Sequence, residues 1–202
     1  MRIERIRVAR VPLVLVSPLR TSDGAHQSRS AVLVEITDSD GYVGWGENVA
    51  TSGVAYVGEN AEASYAAMTQ LLIPELVQHD VAVADLFADG WWGIAGQHFA
   101  KHALESALWD VHARRQGKSL AEVLGAVETE IEVGVVVGMH DSIDEVVSEV
   151  MMRVDEGYAR VKVKIAPGHD VEVLAAVRDA VGVEYALQAD ANGAYGADDI
   201  DL

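Results

Sequence analysis

Hydrophobic and polar positions follow two different periods along this chain. Ile3 to Val16 and Ser30 to Thr37 are rich in β-branched residues, and Tyr42 to Asn48 ("YVGWGEN") follows the turn residues "DSDG" (38 to 41). Together they predict a three-stranded antiparallel meander. The stretch between the first two strands, "SPLRTSDGAHQS" (17 to 28), is polar, contains Pro18 and Gly24, and reads as a loop. Then the period lengthens. Residues 60 to 77 carry apolar side chains at helical spacing. Residues 98 to 117 place Ala103, Leu104, Ala107, Leu108 and Val111 on one stripe and stop at Gly117. Ser119 and Glu122 form a potential capping box for a short helix ending at Gly125.

After residue 126 the pattern changes again. An apolar strand (130 to 138) precedes a helix (142 to 158) that opens with Ser142 and Glu145, a second capping box. A strand "RVKVKI" (160 to 165), a helix (170 to 182) and a strand "YALQADAN" (185 to 192) follow. Val-rich strands joined in sequence by helices predict a parallel sheet covered by helices. The expected division is an α+β domain over 1–126 and the β-α-β-α-β segment over 127–202.

Composition narrows the function classes. Half of the 202 residues are hydrophobic, enough to bury a core, and no run of about 18 apolar residues suggests a membrane span. Arg7 and Arg10 interrupt the N-terminal apolar stretch, which fits an amphipathic strand better than a signal peptide. The net charge of −17, from 32 acidic and 15 basic residues, disfavours nucleic acid as a partner. With no cysteine there is no disulfide or thiolate chemistry, compatible with a cytoplasmic enzyme.

The candidate chemistry lies in the last two strands. Successive strand side chains point to opposite faces, so Lys162 and Lys164 share one face while Val161, Val163 and Ile165 take the other. The same parity groups Gln188, Asp190 and Asn192. Lysines alternating with valines also protect edge strands, and "DAN" alone could be a turn with a helix cap. The combination weighs against those readings: K-x-K ends one strand and D-x-N ends the next, one βα unit later. Buried charges need partners, so two lysines and an aspartate at neighbouring strand ends suggest a site. Other features carry less. His98 and His102 stand at i, i+4, but without a third ligand or an intervening Glu they argue poorly for zinc. Trp91 and Trp92 read as packing residues, Gly44 and Gly46 lack the helix of a nucleotide loop, and Glu47 reads as a surface residue.

Six ordered segments resemble the enolase superfamily: "PLRTSDG" (18 to 24), "GWGEN" (44 to 48), "ALESALWDVHARRQGKSLAEVLG" (103 to 125), "VGVVVGMHDSIDE" (133 to 145), "GYARVKVKIAPGHDVE" (157 to 172) and "LQADANGAYG" (187 to 196). The resemblance is to the muconate-cycloisomerase-like branch, nearest the o-succinylbenzoate synthases and the N-acylamino acid (N-succinylamino acid) racemases. It implies an α+β N-terminal capping domain followed by the first part of a (β/α)7β TIM-like barrel. It implies Lys164 as the acid/base residue and Lys162 as a neighbouring cation that favours the neutral amine of Lys164. Asp190 would be the first of three carboxylate ligands to Mg²⁺ (or Mn²⁺). Asn192 would lie close to metal or substrate. Arg20, Thr21 and Ser22 would belong to a loop, Leu19 to Gly24, that closes over the substrate.

The implied reaction removes a proton α to a carboxylate through an enediolate, either with loss of water (the synthases, in menaquinone biosynthesis) or with reprotonation from the opposite face (the racemases). The implied partner is a small carboxylate substrate, and the full-length enzyme would be a homo-oligomer. In the resembled enzymes two further metal ligands and a second lysine lie on later strands, and only three of eight barrel strands can be counted here. The chain is therefore expected to be a fragment or one part of a two-chain enzyme, inactive alone and prone to association. A non-catalytic binding or assembly remnant is the competing expectation.

Overall fold

The computed structural model describes residues 1–22, 24–51, 58–78, 80–81 and 94–199, so Trp91 and Trp92 lie outside the described residues. Three strands come first: β1 (Ile3–Thr21), β2 (Gly24–Asp38) and β3 (Val43–Asn48), in spatial order β1-β2-β3. Helix α1 (Ala61–Ala67) runs through a π-helical segment, Met68–Leu72, into α2 (Ile73–Leu76). Then come α3 (His98–Arg115) and the short α4 (Leu120–Val123). The remainder is β4 (Gly134–Val137), α5 (Ile143–Asp155), β5 (Arg160–Lys164), α6 (Val171–Val181) and β6 (Ala186–Asp190), closed by a 3-10 turn at Ala197–Asp199. The chain divides into two compact units, Met1–Val14 with Ser28–Val127 and Leu15–Gln27 with Glu128–Leu202.

In the first unit, β2 and β3 pair antiparallel with Val34 opposite Gly46 and Ile36 opposite Gly44. Val32, Val34 and Ile36 are buried in a cluster with Met68, Leu72, Leu104, Leu108 and Val111. The helix stripe expected from sequence is therefore the face that seals the sheet. Gly44 and Gly46 are explained by this contact. A Cβ at Gly46 would stand 1.9 Å from the Ala103 carbonyl oxygen, and one at Gly44 2.3 Å from that of Ala107. Only hydrogen fits between the strand and the helix backbone.

The loop expected over residues 17 to 28 is largely strand among the described residues, because β1 continues to Thr21 and β2 starts at Gly24. The polar composition marks exposure rather than irregularity: Val14 and Val16, on the same extension, are themselves solvent-exposed. Pro18 lies on β1, an edge strand of the sheet, the kind of strand to which proline is confined.

In the second unit β4, β5 and β6 form a parallel sheet in that order. Val137, Val161 and Val163 are buried against Val146 and Val150 of α5 and Val173 and Val177 of α6. Burying one such side chain is worth about 1.5–3 kcal/mol, so the valine face of β5 fixes which way the lysines must turn. Both capping boxes form. Glu145 N–H donates to Ser142 Oγ at 3.3 Å and Ser142 N–H to Glu145 Oε2 at 3.2 Å, while Glu122 N–H and Ser119 N–H make the same exchange at 3.2 and 2.8 Å. Among the described residues no helix is long and apolar enough to cross a membrane.

Candidate active site

With the valines of β5 turned toward the helices, Lys162 and Lys164 occupy the opposite face of the sheet. In the parallel register Lys162 stands opposite Gln188 and Lys164 opposite Asp190. Asp190 Oδ2 accepts from both ammonium groups, with Lys164 Nζ at 2.8 Å and Lys162 Nζ at 2.9 Å. Lys164 is buried, with 7% of its surface exposed, and its Nζ also donates to Asn192 Oδ1. A buried ammonium is costly unless paired, and here one carboxylate and one amide oxygen satisfy it. Lys162 is more open to solvent.

The second carboxylate oxygen is engaged as well. Asp190 Oδ1 accepts the backbone N–H of Asn192 at 2.9 Å, and the Asp190 carbonyl accepts Ile165 N–H at 3.0 Å. Hydrogen bonds from Lys164 first, then from Lys162 and the Asn192 N–H, hold the Asp190 carboxyl far below the usual carboxylate range against the opposing effect of burial. Asn192 departs from the strand parity expected of it. Its φ of 50° places it in the left-handed region just past β6, and this turn, not strand alternation, aims its amide at Lys164.

The tip of the β1–β2 hairpin belongs to this same unit. Met139 N–H donates to the Arg20 carbonyl at 3.1 Å, and the Arg20 guanidinium pairs with Asp141, both just beyond β4. Ser22 Oγ donates to the Ala191 carbonyl at 2.8 Å. Thr21 Oγ1 bonds within the turn, to the Gly24 carbonyl at 3.3 Å. Of the three hairpin residues singled out in the sequence, Ser22 thus reaches the 190–192 segment and Arg20 is committed to Asp141.

Some residues of interest were not legible in advance. Glu59 caps α3 from a distance, accepting the N–H groups of His98 and Phe99 at 2.8 and 3.1 Å. Tyr195 Oη donates to Asp170 Oδ2 at 2.6 Å, linking the segments that follow β6 and β5. Neither pair has a fixed spacing that a sequence could advertise. His102 Nε2 lies 3.4 Å from Ser106 Oγ, and both line an open groove of about 440 Å³ on the first unit with Leu33, Trp45, Glu47 and Val49.

Asp190 and Asn192 offer hard oxygen donors, the type that Mg²⁺ and Mn²⁺ take. Among the described residues no three acidic or histidine side chains converge. By donor chemistry the Asp190 carboxylate is compatible with such a cation, and the described residues by themselves do not assemble a full set of ligands.

Residues 3–125 match the N-terminal domain of the mandelate racemase / muconate lactonizing enzyme family, and residues 145–200 match the enolase C-terminal domain-like family. The chain belongs to the enolase superfamily. This enolase-superfamily chain is 38% identical over 197 residues to an o-succinylbenzoate synthase of Geobacillus kaustophilus, covering 96% of this chain and 51% of that protein. It is 36% identical over 195 residues to an N-succinylamino acid racemase of Amycolatopsis, covering 96% and 53%. A solved enolase-superfamily structure from Enterococcus faecalis superposes with a TM-score of 0.87 at 35% identity, over 100% of this chain and 54% of that one. The chain thus spans about half the length of the relatives it matches, and its parallel sheet is a partial barrel. A mandelate racemase/muconate lactonizing enzyme homologue from Roseovarius nubinhibens, 26% identical with a TM-score of 0.87 over 98% of this chain and 56% of that one, was solved with magnesium.

Proposed function

We propose that this chain carries the proton-transfer lysine and one metal ligand of an enzyme that removes the proton α to a carboxylate, with dehydration to o-succinylbenzoate as the leading activity. The observation that supports it most is the buried Lys164 ammonium held between Asp190 and Asn192 at the ends of adjacent parallel strands. A proton α to a carboxylate is very weakly acidic, and its removal leaves a dianionic enediolate. A Mg²⁺ or Mn²⁺ ion bound at Asp190 would supply charge stabilisation for that dianion. Lys164 Nζ takes the proton in its amine form and returns it to the leaving hydroxyl as ammonium. Lys162 contributes a second positive charge 2.9 Å from the shared carboxylate oxygen. Asn192 Oδ1 orients Lys164 Nζ, and the tip carrying Arg20, Thr21 and Ser22 forms part of the enclosure around a small carboxylate substrate. Lysines are the cations suited to this task, since burial and neighbouring charge shift them readily.

A racemase reading stands beside it because relatives of both names match almost equally, at 38% and 36% identity. There the same intermediate is reprotonated by a second base on its other face. In this reading the complete activity belongs to a polypeptide of the relatives' length, and assay of the 202-residue chain alone, expected to give no turnover, tests that. In the complete protein, Lys164→Ala should suppress exchange of the substrate α-proton with deuterium oxide by about 10²-fold or more. Parallel dehydration and racemisation assays separate the two activities. Exchange that survives Lys164→Ala intact would refute the assignment of the base.

A further inference from the structure

The peptide group joining Ala191 to Asn192 is held from both ends. Its carbonyl oxygen accepts Ser22 Oγ at 2.8 Å and Ala194 N–H at 3.0 Å, and its N–H donates to Asp190 Oδ1 at 2.9 Å. The rotation of this one peptide plane therefore sets two things at once: where the Asp190 carboxylate points, and the left-handed backbone that aims Asn192 at Lys164. A carbonyl that accepts a hydroxyl hydrogen bond also makes the N–H across the same peptide a stronger donor. Ser22 belongs to the hairpin tip, 169 positions away in sequence. The tip has two other fastenings, the Arg20 carbonyl on Met139 N–H and the Arg20–Asp141 ion pair. Room for it is left by Gly138, where an added Cβ would stand 3.2 Å from the Arg20 carbonyl oxygen and 3.5 Å from Leu19 Cδ1.

We infer that Ser22 is a positioning residue: by donating to the Ala191 carbonyl it locks the 191–192 peptide, so that seating the hairpin tip orients Asp190 and Asn192 around Lys164. The inference rests on the proposed roles of Asp190 and Lys164 for its functional meaning, and its structural content stands apart from them. Linkage then makes the effect mutual. Whatever holds Asp190 and Asn192 in place also favours the seated tip, so enclosure of the site and its internal geometry form one equilibrium. The device works by removing a rotation, not by touching substrate.

The test is amide hydrogen exchange, followed residue by residue by NMR on the 202-residue chain. Ser22→Ala should speed exchange at Asn192 by about tenfold or more, while Val161 and Val163, in the centre of the sheet, keep their protection. Ser22→Thr, which retains the hydroxyl, should restore slow exchange. Gly138→Val, which displaces the tip without altering Ser22, should reproduce the loss at Asn192 and add one at Met139. Protection of Asn192 that survives both Ser22→Ala and Gly138→Val overturns the proposal, as does a uniform rise across β5. Neither result depends on turnover. Loosening of Asn192 with proton exchange intact in Lys164→Ala leaves the latch standing and removes the proton-transfer reading. The opposite pair of results does the reverse.

Discussion

Lys164 and Asp190 stand directly opposite each other in the register of β5 and β6, and the ammonium lies 2.8 Å from the carboxylate. The relationship follows from packing on the other face. Val161 and Val163 are fully buried against α5 and α6, so the intervening and following lysines have no choice of side. A register shift of one residue would bring Ala189 opposite Lys164 and send the carboxylate among the valines. Core burial thus selects the pairing that assembles the site.

Asp190→Ala tests how strongly this pairing supports the second unit. It removes the acceptor shared by two lysines and leaves the buried Lys164 with the Asn192 amide oxygen. Stranding a buried cation in this way costs about 2–4 kcal/mol. The four tryptophans of the chain, at 45, 91, 92 and 109, all fall outside the segments of this unit, Leu15–Gln27 and Glu128–Leu202, so their fluorescence is a poor reporter. The loss should instead appear as faster amide exchange at Val161 and Val163 in β5. Unchanged protection there would show that the pair contributes nothing net.

Gly46→Ala addresses the first unit. The added methyl would meet the Ala103 carbonyl oxygen at 1.9 Å, a backbone atom in the middle of α3 that no rotamer change can move. The helix must lift from β3 or the strand must bend, and overpacking of this kind costs about 1–3 kcal/mol or more. Thermal unfolding followed by tryptophan fluorescence should move to markedly lower temperature. Gly41→Ala, at a turn with nothing within 4 Å of its Cβ, is a control for backbone strain without collision, since its φ is 86°. An equal effect of both substitutions would refute the close-contact explanation.

How much of this was written in the sequence differs from residue to residue, for physical reasons. The lysine–valine alternation and the capping boxes at Ser119 and Ser142 are local patterns, and they form as expected. The convergence of Lys162, Lys164 and Asp190 needed one further assumption, that sequential strands pair in parallel, and the Val-rich pattern supported it. The hairpin extension, β1 to Thr21 and β2 from Gly24, is not legible in the sequence because an exposed ribbon and a loop share a polar composition. Asn192 lies beside Lys164 for a reason other than strand parity: Asn192 and Gly193, at φ 50° and 74°, make a left-handed turn straight after β6, and the Asn-Gly pair is its signal in the sequence. Glu59 at the start of α3 and Ser22 on the Ala191 carbonyl are long-range contacts, invisible to periodicity.

Acid should act on the first unit through Asp38. Its side chain is wholly buried, with Oδ1 accepting the N–H groups of Asp40 and Tyr42 at 3.0 and 2.8 Å and Oδ2 paired with Arg115. Burial pushes its pKa up, but Arg115 and the two backbone donors outweigh it and hold the group below its ordinary 3.8. A depressed folded pKa gives stability that is complete above the unfolded value and drains away as pH falls through the folded one. The unit should hold its stability down to about pH 4 and lose it below. Asp38→Asn, which keeps the shape and removes the charge, should flatten that acid dependence. An acid profile identical in the two proteins would assign the transition to other carboxylates.

The opposite end of the pH scale belongs to Tyr195. Its hydroxyl donates to Asp170 Oδ2 at 2.6 Å, and this bond, with burial and the nearby Asp170 charge adding to it, pushes the phenol up to about 12 from an ordinary 10.0. The same bond, first among several, lowers the Asp170 carboxyl. A raised pKa in the folded state means the contact is intact below the unfolded value and is lost as pH rises through the folded one. Asp170 also caps α6, accepting Val171 N–H at 2.6 Å, so the link ties the segment after β6 to the start of that helix. In an ultraviolet titration of the six tyrosines, one should ionise well after an unperturbed phenol. Tyr195→Phe should remove that late step, and Asp170→Asn, which retains an acceptor without the charge, should draw it back toward 10. A late step that persists in Tyr195→Phe would place it on another tyrosine and leave the two segments joined by packing alone.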